Sequence, residues 1–351
     1  MTFPPLPPSP LRLRIDRAAL AANWQAMNRL SAPGRAGAAV KADAYGLGAG
    51  QVVPVLAAAG CRDWFVAHWR EVPDVIAHVP AADVAVLHGP LDQADVAFAM
   101  ATGVRPVLNS LPQVARWLAA GGGPCHVMVD TGINRLGLAM ADLGDPMLAR
   151  LDIDLLISHL ASADEDTAQN AQQLAQFRAA CGMVAARRHS LANSAGIALG
   201  GAYHADLTRP GIALYGGVAR PELAGVVRRV AHPEAAVLQV RDLAAGDCVG
   251  YNATFVAQRA MRLGVVALGY ADGYLRCWSN RGALLHGASR LPVVGRVSMD
   301  LTAIDLTDAP DLREGDWLAV DYDLPQAAAQ SGLSQYELLT LMHRRFARTG
   351  Q

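Results

Sequence analysis

Apolar and polar residues alternate in LRLRID (11–16), the period of a strand with one face buried. RAALAANWQAMNRL (17–30) then reads as a helix. From there short apolar runs recur at GAAVKAD (37–43), DWFVAH (63–68), DVAVLHG (83–89) and VRPVLNS (104–110). They continue at CHVMVDTG (125–132), DLLISHL (154–160), HSLANSA (189–195) and RPGIALYG (209–216). Between most of them lies an Ala/Leu-rich stretch of helical character, such as AQNAQQLAQFRAACGMVAARR (168–188). Strands that alternate with helices predict a parallel sheet, because parallel strands need a crossover. Eight such units predict an α/β fold, a (β/α)8 TIM-like barrel. An open doubly wound sheet is the alternative; no GxGxxG follows the first strand, which counts against its dinucleotide-binding form.

After about residue 224 the texture changes. AAVLQVRDL, CVGYNATF, LGVVALGY, GALLHG, RLPVVGRVSMD and WLAVDYD read as strands separated by Gly, Asp and Pro turns. Helical periodicity returns only in PQAAAQSGLSQYELLTLMHRRF (325–346). The expectation is a barrel over 11–224 and a mostly β C-terminal domain over 225–351 that ends in a helix.

The chain has 351 residues, enough for two domains, and 52% of them are hydrophobic. The formal net charge is −1 and no basic block occurs, which argues against a nucleic-acid surface. The Pro-rich start carries no signal-peptide pattern. No apolar run reaches the ~18 residues of a membrane span. Cys61, Cys125, Cys181, Cys248 and Cys277 are scattered singly and read as reduced thiols of a cytoplasmic protein.

Active sites of such barrels lie at the C-terminal ends of the strands. Reading those ends collects Lys41 with Tyr45, Asp130 with Arg135, His159, Asn193 with Ser194, and Arg209 before PGI. Each has a plain reading: a solvent-reaching lysine, a core histidine, a cap, a surface charge. Those readings weaken together, because one mouth would gather a lysine, two arginines, a histidine and a Ser/Asn pair. A partly desolvated amine beside guanidinium groups has a lowered pKa and attacks carbonyls. Hydroxyls and N–H groups after strands 7 and 8 are where barrels hold phosphate. A Schiff-base lysine, a phosphate site and an arginine for a ring nitrogen make a kit for pyridoxal phosphate. A type I aldolase also uses a barrel lysine but has no need of the ring-directed arginine.

AVKADAYGLG (39–48), VDTGINRLG (129–137), SHLASADE (158–165), ANSAG (192–196), RPGIALYG (209–216), VGYNATF (249–255), LGYADGY (268–274) and VGRVSMD (294–300) occur in this order. Together they resemble the alanine racemase family, over nearly the whole chain. The resemblance implies a pyridoxal-phosphate barrel, a β domain and a head-to-tail homodimer with shared active sites. It makes Lys41 the cofactor-bonding lysine. Tyr45, Ser194 and the amides of Gly211 and Ile212 become phosphate ligands, His159 stacks on the ring, and Arg209 faces its nitrogen. Arg135 would bind the substrate carboxylate. Tyr251 from the partner would be the second base, Met299 would lend its N–H to the carboxylate, and Tyr270 would line the entrance. No metal is implied.

Two bases fit a racemase, since a proton must leave one face and return to the other. A free tyrosine titrates near 10, so Tyr251 needs cationic neighbours, with Arg135 the candidate. An arginine at the ring nitrogen keeps its own proton, which argues for racemase over decarboxylase. Two positions depart from the family: Met128 stands where many members carry a lysine, and Arg344 about where relatives often have a tyrosine. The expected function is racemisation of alanine, supplying D-alanine for peptidoglycan. A serine or broad-specificity racemase and a non-catalytic pyridoxal-phosphate-binding protein are the alternatives.

Overall fold

The computed structural model describes residues 4–342 and 345–350. Its first strand, β1 (Leu11–Ile15), buries Leu11, Leu13 and Ile15 and exposes Arg12, as the alternation predicts. The helix Arg17–Leu30 follows and buries Leu20, Trp24 and Met27.

The next strands are β2 (Arg35–Ala36), β3 (Ala38–Ala39), β4 (Trp64–Val66), β5 (Val84–Val86), β6 (Arg105–Leu108), β7 (Pro124–Met128), β8 (Asp152–Ile157), β9 (Arg188–Ser190) and β10 (Leu207–Thr208). From β3 to β9 each pairs in parallel with the next in chain order. β10 pairs in parallel with β2, and the Ala39 N–H donates to the Pro210 carbonyl at 2.9 Å. On its other side the Arg209 N–H donates to the Ala192 carbonyl at 2.8 Å. The eighth strand therefore bridges the seventh and the first, and the ring closes. Its core comes from Phe65, Ala85, Val107, Met128, Leu155, Ile157 and Leu207, apolar residues contributed by six of the strands.

Two expectations shift here. The eighth strand lies at Leu207–Thr208, and 209–216 runs on as a loop and a 3-10 turn, Ile212–Tyr215. Pro210 has no N–H for the ladder, so the strand ends beside it. The helix expected over 168–188 stops at Met183, and Arg188 already begins β9.

The second unit is built on β11 (Ala231–Leu243), which pairs antiparallel with β1. Its further strands are β12 (Cys248–Val249), β13 (Phe255–Val256), β14 (Met261–Val266), β15 (Ala283–His286), β16 (Ser289–Pro292), β17 (Thr302–Asp305), β18 (Trp317–Val320) and β19 (Ala347–Gly350). β14 and β18 flank β11, and β19 adds to β1 in parallel. The compact units are therefore residues 18–228 on one side, and 1–17 with 229–351 on the other. The barrel does not begin at residue 11, because β1 satisfies its backbone in the other sheet. Nor does the chain end in one helix. Gly332 (φ 75°) ends Leu324–Ser331, and a capping box of Ser334 and Glu337 starts Gln335–Thr340. Strand β19 follows. Arg344 lies outside the described residues.

All five cysteines are free thiols. Among the described residues no helix is long and apolar enough to cross a membrane.

Candidate active site

Lys41 leaves β3 at the C-terminal end of the barrel and is the only lysine of the chain. Burial, then the charge of Arg135, then that of Arg209 lower its pKa, while Glu71 works the other way. The residues after it are unusual. Ala42, Asp43, Ala44 and Tyr45 all have φ between 52° and 56°, a left-handed turn without a glycine. Each such residue costs roughly 1–2 kcal/mol, so the turn must be held from outside. The Glu71 carboxylate accepts the Ala42 N–H, and also the N–H groups of Ala67 at 2.6 Å and His68 at 3.3 Å. The Asp43 carboxylate accepts the Ala49 N–H at 2.7 Å.

The turn delivers Tyr45 to the loop after β10. Its ring stacks on the buried Tyr215, with centroids 4.7 Å apart. Its hydroxyl lies 2.2 Å from where a Cβ on Gly211 would stand, so only glycine fits there. The Ser194 hydroxyl oxygen accepts the N–H groups of Gly211 at 2.9 Å and Ala213 at 3.2 Å. Its own O–H remains to donate. Ile212 opens the 3-10 turn, where N–H groups lack internal partners. Asn193 caps the preceding short helix by accepting the Gly196 N–H at 2.8 Å. Tyr45 and Ser194 thus meet around Gly211, whose own N–H is given to Ser194, and Ile212 follows; the two hydroxyls and the Ile212 N–H make a cradle suited to phosphate.

Arg209 is 6% exposed. It donates to the Ser190 hydroxyl, to the Ser158 carbonyl at 2.6 Å and to the Leu191 carbonyl at 3.4 Å, and one of its nitrogens lies 3.5 Å from His159 Nδ1. Among the described residues neither Arg209 nor Arg135 has a carboxylate within ion-pair distance. Burial lowers the Arg209 pKa to about 9. Burial, Arg209, Arg135 and Lys41 push His159 down to about 3, so its imidazole is neutral at pH 7.

Asp130 takes the plain role. Its carboxylate accepts the N–H groups of Gly132, Ile133 and Asn134 at 2.8–3.1 Å and shapes the loop that presents Arg135, which is exposed. Behind it, Thr131 and Ser158 share a hydrogen bond at 2.7 Å, and Gln173 donates to Thr131 and to the His159 carbonyl. Sequence reasoning missed this buried network. It also missed Glu71, whose only local sign is the three-residue cap spacing from His68 in HWRE. Met128 is buried in the barrel core and offers Arg135 no charge.

Tyr251, Tyr270 and Met299 belong to the second unit. Tyr251 is 63% exposed and Met299 54%. The Tyr270 N–H donates to the Ser298 carbonyl, and Ala271 to the Met299 carbonyl, both at 3.0 Å, so these two loops run together. Arg345 ties them, pairing with Asp272 at 3.2 Å and Asp300 at 2.9 Å.

A closed parallel barrel with one desolvated amine, an anion cradle and an unpaired buried arginine defines a class: barrel enzymes that carry a phosphate-bearing aldehyde cofactor on lysine. The chain belongs to the alanine racemase family, whose N-terminal domain model matches residues 15–219 and whose C-terminal domain model matches 230–350. It is 42% identical to an alanine racemase of Acidiphilium cryptum, over 96% of this chain and 97% of that one. It is 41% identical to a biosynthetic alanine racemase of Agrobacterium fabrum, over 97% and 93%. The fold also matches a crystal structure of alanine racemase from Bartonella henselae with covalently bound pyridoxal phosphate. The TM-score is 0.89 at 34% identity, over 98% of this chain and all of that one.

Proposed function

We propose that this protein is a pyridoxal-phosphate-dependent alanine racemase, an isomerase that interconverts L- and D-alanine. The observation that carries the reading is the barrel mouth: a single amine of lowered pKa beside two arginines that, among the described residues, no carboxylate neutralises. Lys41 would hold the cofactor's aldehyde. Tyr45, Ser194 and the N–H groups of Gly211 and Ile212 would hold its phosphate, His159 one face of its ring, and Arg209 its ring nitrogen. When bound, the pyridoxal group withdraws electrons from the substrate's α-carbon and acidifies the hydrogen there.

The chain's own residues do the rest. Lys41 Nζ, its pKa lowered by burial, takes the α-proton on one face or returns it. The phenolic oxygen of Tyr251 of the partner subunit would do the same on the other face, taking the proton as phenolate and returning it as phenol. Arg135 receives the substrate carboxylate, helped by the N–H of Met299. Arg209, still protonated at pH 7 with a pKa of about 9, donates a hydrogen bond without giving up its proton. His159 is neutral and adds no charge against the ring. The high exposure of Tyr251 and Met299 in the single chain supports a homodimer that shares its sites. Tyr270 lines the entrance. The product would feed peptidoglycan synthesis in the cytoplasm.

The test is chiral separation after incubating the purified protein with pyridoxal phosphate and L-alanine or L-serine. Alanine should interconvert in both directions, faster than serine. Tyr251→Phe should retain bound cofactor and lose at least about 100-fold in racemisation. Full activity of that variant in both directions would remove Tyr251 from the mechanism.

A further inference from the structure

We propose that Glu71 is a positioning residue for Lys41: its carboxylate clamps the left-handed turn that follows the lysine to the exit of the neighbouring strand. One oxygen accepts the N–H of Ala42, the residue bonded to Lys41; the other accepts those of Ala67 and His68, just after β4. A single side chain therefore ties the first strand of the barrel to the second at the point where the amine departs. The turn it grips has four consecutive non-glycine residues at φ 52–56°, a conformation that persists only when its surroundings over-determine it. Asp43 supplies a second hold, through Ala49. Glu71 is not among the residues that form the anion cradle, Tyr45, Ser194, Gly211 and Ile212. It acts through Lys41.

The clamp also carries charge. The groups that act electrostatically with Lys41 are Glu71, Arg135, Arg209, His88 and His159. Burial and the two arginines lower its proton affinity, and only Glu71 among the causes raises it. Glu71 thus keeps the amine from losing its proton too readily while fixing where it stands. Reach and charge can be separated by substitution. Glu71→Gln keeps the length, removes the charge, and turns an N–H₂ toward backbone donors that need an acceptor. Glu71→Asp keeps the charge and shortens the arm by one carbon.

The inference rests on the proposed racemase reading, but half of its test does not require turnover. Lys41 is the only lysine. In full-length protein stripped of cofactor, an amine-acylating reagent therefore modifies, besides the chain's own amino terminus, one position. The pH midpoint of Lys41 acylation, followed by peptide mass spectrometry, should move to lower pH in Glu71→Gln and stay within about 0.3 units of wild type in Glu71→Asp. In the loaded enzyme both variants should lose about 10- to 100-fold in kcat, since the amine stands out of place. KM for alanine should change less than about threefold, since Arg135 is untouched. Thermal melting tells a displaced lysine from an unfolded chain, and a Glu71→Gln protein that fails to melt cooperatively leaves Glu71→Asp to decide. Wild-type kcat in both variants overturns the positioning role. An unmoved acylation midpoint in Glu71→Gln overturns the electrostatic one. If wild type itself does not racemise alanine, the racemase reading fails, and the acylation profile still judges the clamp.

Discussion

The two ends of the barrel use the same residue types in opposite ways. At the N-terminal end Asp154, on β8, binds both Arg105, on β6, and Arg188, on β9, while Arg188 also pairs with Asp63 at 2.7 Å. Burial opposes the Arg188 charge, but bonds to Asp154 and Asp63 more than reverse this, and its pKa rises. At the C-terminal end Arg209 is more deeply buried, meets carbonyls, a hydroxyl, an imidazole and the face of Phe65, and its pKa falls. A cavity of about 210 Å³ opens at the N-terminal end, lined in part by Asp63, Arg105, His126, Asp154 and Arg188. Its charges are largely spent on one another. Unspent charge marks the reactive end. Paired cations hold strands together, and unpaired buried cations wait for a ligand that brings the missing negative charge.

Giving Arg209 a carboxylate in its place strikes this comparison hardest. Arg209→Glu should reduce racemisation about 100-fold and raise the fraction of alanine converted to its keto acid, measured by coupled assay beside chiral separation. A variant that racemises normally would mean the unpaired arginine has no chemical purpose. Next comes Asp154→Asn, at the paired end. It strips Arg105 of its carboxylate partner and Arg188 of one of two in a partly exposed cluster, and should cost about 1–3 kcal/mol in urea unfolding while kcat changes less than twofold. A large kcat loss with unchanged stability would reverse the assignment of the two ends.

The smallest effect concerns what the ends share. His126, at the N-terminal end, and His159, at the mouth, are both held neutral by burial, each at a pKa of about 3. In the unfolded chain each takes a proton near pH 6.5. Unfolded protein therefore binds more protons between about pH 6.5 and 3, and stability falls as pH drops through that window. Each histidine contributes at most about 1.4 kcal/mol per pH unit. His126→Gln should flatten the decline of the melting temperature between pH 6.5 and 4.5 and leave kcat alone. An unchanged slope would show that His126 protonates without unfolding.

Much of this was legible beforehand. Seven of the barrel's eight strands announced themselves as short apolar runs ending in polar residues, the eighth being set too late in the chain, and Lys41, Arg135, His159, Ser194 and Arg209 were singled out from those ends. The left-handed turn could not. Ala42, Ala44 and Tyr45 have no local preference for it; the conformation is imposed by acceptors brought from elsewhere, Glu71 above all. The alternation in LRLRID marked a strand but was silent on its partner, because a period of two says which face is buried and not against what. For Tyr251, Tyr270 and Met299 no local pattern spoke at all, and only the family motifs singled them out.

That strand, β1, has a consequence for how the chain is made. It is made before the barrel segment, yet one neighbour is β11, beyond the whole barrel sequence, and the other is β19, at Ala347–Gly350. Pairing over such separations is entropically slow. Throughout synthesis of residues 18–228 its edges stay open to other chains, while the barrel segment between can already collapse. The strand made before the barrel is sealed after it. Loss of a few C-terminal residues would leave a finished barrel attached to an unfinished sheet.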